Sequence, residues 1–137
     1  MTRIGFMSDL HLDSNQFGDF ERQTLCQLLK EEQIDHLHIA GDLSNDLNKI
    51  SLPFIEDLKK DFPISFNLGN HDMLGLSEQE ISNYDFQIQQ FGQTMLVSLS
   101  GWYDYSFVTE KSKEEHLRTK TNFWFDRRLE RQLDDPS

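Results

Sequence analysis

The sequence predicts an α/β fold, a mostly parallel sheet joined by crossover helices, and three observations carry that prediction. Short apolar runs of strand-forming residues alternate with stretches of helical periodicity. Polar clusters stand at the ends of the first three such runs: "SDLHLD", "GDLSND" and "GNHD". No repeat, low-complexity linker or composition shift marks off a second domain, so residues 1–137 read as one domain.

The first strand is expected at 3–7, where Ile4, Phe6 and Met7 head for a core. A helix follows over 19–33, with Phe20, Leu25, Leu28 and Leu29 as its apolar face and Asp19 as its N-cap. The second strand is 36–40. A second helix starts near Ser51, because Pro53 is tolerated only in a first turn, and turns Phe54, Ile55 and Leu58 inward. Pro63 closes it, and 64–68 is the third strand. Ile81, Tyr84, Ile88 and Phe91 then recur at helical spacing, which predicts a helix over 77–90. A fourth strand is expected at 94–99 and an aromatic fifth strand or arm at 101–108. The charged stretch 111–133 favours helix, and its cluster Phe123, Trp124 and Phe125 calls for a covering surface.

The formal charge is −11, which disfavours a nucleic-acid-binding face built of clustered Lys and Arg. It leaves a phosphorylated small molecule or a phosphodiester open as substrate, since metal ions on carboxylates supply positive charge locally. Cys26 is the single cysteine, so an intrachain disulfide and a thiolate zinc cluster are both excluded, and a reducing compartment suits the chain. Met1 leads directly into a strand pattern and no apolar run approaches the ~20 residues of a membrane span, so the chain reads as cytoplasmic, without a membrane partner.

In open α/β sheets, ligand sites gather outside the carboxyl ends of the strands. The three polar clusters should therefore converge, offering Asp9, His11, Asp42, Asn70 and His71. Carboxylate, imidazole and amide oxygen without thiolate suit Mn, Fe, Zn or a related divalent ion. In an extended Asp9-Leu10-His11, residues i and i+2 point the same way and both reach one ion. Gly41 and Gly69 remove a Cβ where the backbone turns or comes close to a ligand. Strand-end polar residues also serve as plain loop caps, but capping gives no reason for this shared placement and order. Asp13 reads as such a cap, Asp72 as a turn former or as a residue that orients His71, and His36 and His38 as packed or sheet-edge residues of the second strand.

These motifs, D-x-H, then GD, then GNH[D/E], with Asp9 and Asp42 33 residues apart and Asp42 and Asn70 28 apart, resemble the N-terminal part of a calcineurin-like metallophosphoesterase. "GWYDYSF" and "FWFDRRL" resemble stretches in a branch of uncharacterised bacterial members. The resemblance implies the N-terminal half of a two-sheet sandwich, its second sheet missing or incomplete. It implies two divalent ions, Asp9 and His11 binding the first, Asp42 bridging, Asn70 binding the second. His71 would protonate the leaving-group oxygen while a metal-activated hydroxide attacks phosphorus.

Two departures stand out. Relatives add an isolated histidine and a G-H-x-H motif, yet the histidines here are His11, His36, His38, His71 and His116, and G-H-x-H is absent. Half the cage is then lacking, which reads as a C-terminally truncated domain with impaired activity. Many relatives also place an Asp where Asn45 stands, orienting the catalytic histidine; Asn45 can still accept from an imidazole N–H. A degenerate metal- or phosphate-binding domain and a nuclease of the same superfamily are the competing readings. Trp102, Tyr103 and Tyr105 could stack on a base, although aromatics at that density more often pack.

Overall fold

Three short strands, β1 (Ile4–Met7), β2 (His36–Ala40) and β3 (Ile64–Asn67), form a parallel sheet in sequence order. A computed structural model describes residues 1–101, 112, 114–116 and 118, and the chain divides into two compact units, Met1–Ser100 and Gly101–Ser137. Parallel neighbours need crossovers. Helix α1 (Asp19–Glu31) supplies the first; a π-helical turn (Leu47–Ser51) running into α2 (Leu52–Leu58) supplies the second. Leu37 and Ile39 project from β2 into a core shared with Cys26 and Leu29 of α1, Ile55 and Leu58 of α2, and Leu12, Leu43 and Phe62 of the loops.

Three local expectations need correction. Gly18, not Asp19, is the N-cap of α1, and the Glu21 carboxylate accepts from the Gly18 N–H at 2.9 Å. Phe20 and Leu28 are 75% and 53% exposed: at ~100° per residue Phe20 lies half a turn from Leu29, so the buried stripe is Leu25, Cys26 and Leu29. The second helical segment begins at Leu47 rather than Ser51, because the Asp46 side chain accepts from the Lys49 N–H at 3.0 Å and caps it there.

The largest correction concerns 77–90. Helix α3 spans only Glu78–Ser82, capped reciprocally by Ser77 and Glu80. The chain then turns at Phe86 (φ 47°) and enters an antiparallel hairpin, β4 (Gln87–Phe91) with β5 (Thr94–Ser98). Phe91 pairs with Thr94, leaving Gly92-Gln93 as a two-residue loop in which Gly92 takes the positive φ of 60° such hairpins require. Ile88 and Phe91 are therefore strand residues.

On the sheet face away from the helices, His36 and His38 are buried, packed as the sequence suggests. His38 Nε2 lies 3.0 Å from Asn67 Oδ1, and His38 Nδ1 and His36 Nε2 each lie 2.8 Å from the Ser65 hydroxyl. With Nε2–H of His38 donating to Asn67, the Ser65 O–H donates to His38 Nδ1 and accepts from His36 Nε2–H. Each of these three contacts is satisfied with both rings neutral.

In the second unit, Ser112 and Glu115 cap each other, with Ser112 N–H donating to Glu115 Oε2 at 2.8 Å, and 114–116 and 118 are helical. The expected fifth strand after Gly101, the rest of 111–133 and the aromatic clusters there lie outside the described residues.

Candidate metal centre

The loop after β1 is fastened to the loop after β2. Asp9 N–H donates to the Gly41 carbonyl at 3.1 Å, His11 N–H to the Asp42 carbonyl at 3.1 Å, and Leu12 N–H to the Leu43 carbonyl at 2.7 Å. Asp9 and His11 share one side of this loop, but not through an extended backbone. Their φ values are 58° and 43°, and Asp42 follows at 57°. Three non-glycine residues in left-handed geometry at one place are a local strain that the surrounding hydrogen bonds sustain. Leu10 packs against the core, as expected.

Two glycines let the third loop close on the second. A Cβ on Gly41 would stand 2.4 Å from the Gly69 nitrogen, and one on Gly69 would stand 2.1 Å from Asp42 Oδ1. Both contacts are far inside van der Waals distance, so glycine is required at each position. Asp72 then ties the loops together. Its carboxylate, 1% exposed, accepts from the N–H groups of Asp42 (2.7 Å), Leu43 (3.0 Å), Ser44 (3.2 Å) and Gly69 (3.0 Å). Burial pushes this carboxyl above the ordinary carboxylate range; the N–H donors pull the other way, and the neighbouring Asp42 charge adds to the rise. The reading of Asp72 as a turn former holds for its bond to Gly69; the other three bonds have no counterpart in the sequence pattern.

His71 sits on this frame. Its N–H donates to Asp42 Oδ1 at 3.1 Å, its ring meets the His11 ring edge to face at 4.6 Å between centroids, and its Nδ1 lies 2.8 Å from Asn45 Oδ1. Asn45 thus stands beside His71. Beyond it is Asp13, which reads in the sequence as a simple cap: Oδ2 accepts from the Asn45 N–H at 3.1 Å and from Asn45 Nδ2 at 2.8 Å. Partial burial raises the Asp13 carboxyl, but the hydrogen bonds from Asn45 and Ser14 outweigh it and hold the group below its ordinary value.

Asp9, His11 and Asp42 each offer a ligand atom, and the three atoms lie within 4.8 Å of one another. Donors on opposite sides of an ion with bonds of ~2.1 Å lie ~4.2 Å apart, so a small side-chain rotation closes them on a divalent cation. Asp9 is the exposed member and has that freedom. Two carboxylates and an imidazole form the harder donor set that suits Mn, Fe or Zn. Asn70 is half-buried in the same turn, between Gly69, which donates to Asp72, and His71, which donates to Asp42.

The family model described as calcineurin-like phosphoesterase matches residues 2–134 of the chain. No curated protein matches it.

Proposed function

The chain belongs to the calcineurin-like phosphoesterase family, and from that premise we propose that it hydrolyses a phosphoester through divalent ions held by Asp9, His11, Asp42 and Asn70. The observation carrying this reading is the convergence of Asp9, His11 and Asp42 from two loops within 4.8 Å. When bound, such ions supply the positive charge that draws in a phosphate and the Lewis acidity that makes water nucleophilic near neutral pH. Asp9 and His11 would hold the first ion, Asp42 would reach both, and Asn70 would offer its amide oxygen to the second. His71, fixed through its N–H on Asp42 and its Nδ1 on Asn45, would present Nε2 as the acid toward the leaving-group oxygen.

This sequence provides few donors for the second ion, Asp42 and Asn70, and no G-H-x-H, so hydrolysis by the chain alone is proposed to be slow. The family match over 2–134 supports reading the chain as one domain. Cytoplasm is the proposed compartment, supported by the one cysteine, Cys26, being buried and free; no helix among the described residues is long and apolar enough to cross a membrane. The charge of −11 supports a small phosphorylated substrate over nucleic acid.

Hydrolysis of p-nitrophenyl phosphate and of bis(p-nitrophenyl) phosphate with Mn²⁺ tests the proposal. Slow, metal-dependent turnover is expected, reduced at least ~100-fold in Asp42→Asn and in His71→Ala. Turnover indifferent to Asp42→Asn would sink the assignment, and fast turnover would sink the claim of a weak second site. Metal binding with no turnover at all would favour the second reading, a non-catalytic metal-binding domain.

A further inference from the structure

We propose that Asp13 is a positioning residue for His71: acting through the Asn45 side chain, its carboxylate fixes which ring nitrogen of His71 carries the proton. The bonds leave one consistent arrangement. An ionised carboxylate only accepts, and Asp13 Oδ2 already receives the Asn45 N–H at 3.1 Å. The Asn45 amide must therefore turn its NH₂ toward Asp13, at 2.8 Å, because its oxygen there would face another acceptor. Its oxygen is left pointing at His71 Nδ1, 2.8 Å away. Nδ1 must then be an N–H, which leaves Nε2 as the nitrogen where the ring gains or gives up its second proton. The tautomer of a histidine is set by the bond its other nitrogen makes; here that bond is dictated one side chain further out.

The two oxygens of Asp13 divide the work. Oδ1 accepts from the Ser14 N–H at 3.0 Å, the turn-capping contact that the sequence anticipates, while Oδ2 serves Asn45 alone. Capping by itself would ask nothing of Oδ2. The significance for catalysis rests on the phosphoesterase reading, whereas the tautomer does not.

The experiment is a ring ¹H–¹⁵N correlation spectrum of the full chain without metal, in alkaline buffer where imidazoles are neutral. In the wild type, neutral His71 should show a protonated Nδ1 and an unprotonated Nε2. In Asp13→Ala no acceptor holds the Asn45 NH₂ outward, the amide is released to turn its NH₂ to Nδ1, and Nε2–H should appear. The double variant Asp13→Ala with Asn45→Asp places at position 45 a carboxylate, which can only accept, and should restore the wild-type pattern. An unchanged pattern in Asp13→Ala, or a double variant that keeps Nε2–H, overturns the proposal. Should Asp13→Ala fail to fold, Asp13→Ser, which keeps an oxygen for the Ser14 turn but falls short of Asn45, takes its place with the same two outcomes. In the Mn²⁺ assay, kcat should fall ~10- to 100-fold in Asp13→Ala with little change in KM and recover in the double variant. A wild type without turnover would fail the phosphoesterase reading while the spectra still judge the relay.

Discussion

Replacing Asp72 with alanine would strip the N–H groups of Asp42, Leu43, Ser44 and Gly69 of their shared acceptor inside a buried turn. Buried donors left unmet cost ~1–3 kcal/mol each, so a loss of about 3 kcal/mol or more is expected, read as a lower urea midpoint with an unchanged slope. A change under ~1 kcal/mol would mean that water or another group replaces the carboxylate. The residues expected to touch a metal or a substrate are legible in the sequence because their types and order have a chemical reason. Asp72 and Asp13 are not, since a turn-forming Asp and a relay Asp look alike in a sequence. Only the contacts of each carboxylate, four N–H groups for Asp72 and the Asn45 amide for Asp13, separate them from ordinary caps.

The three parallel strands and their crossovers can be read because β-branched and apolar runs with glycine or proline at their ends have few other uses. The hairpin cannot, because "QIQQF" serves two periods: Ile88 and Phe91 are three apart, as on a helix, while the same five residues pair antiparallel with 94–98. Glutamine favours helix locally, and pairing with β5 overrides it. The histidines of β2 carry a prediction at this scale. Burial holds His36 below the ordinary imidazole value, and His38 nearby lowers it further. As pH falls the unfolded chain therefore takes up the proton first. The stabilisation from burying a neutral His36 is complete above the unfolded value of ~6.5 and is lost as pH falls toward the lower folded value. Urea midpoints should drop more for the wild type than for His36→Gln between about pH 7.5 and 5.5. Parallel curves would contradict this.

Across the whole molecule, the sheet places three loops at one edge, and the loops bring two carboxylates, two imidazoles and an amide to that edge. The net charge of −11 fits a site whose positive charge comes from ions rather than from side chains. Membership in the calcineurin-like phosphoesterase family spans nearly the whole sequence, residues 2–134, yet the donors gathered within 4.8 Å among the described residues, Asp9, His11 and Asp42, come from the first two motifs. The proposed chemistry therefore stands on Asp9, His11 and Asp42 forming a metal site. The most direct test is Mn²⁺ uptake by the full chain, read from the free-ion paramagnetic resonance signal, for the wild type and for Asp42→Asn, which keeps an Oδ1 for the His71 N–H. The wild type should bind manganese and Asp42→Asn should bind it at least ~10-fold more weakly with its circular dichroism unchanged; equal affinity in the two, or no uptake by the wild type, would contradict a metal centre at these residues.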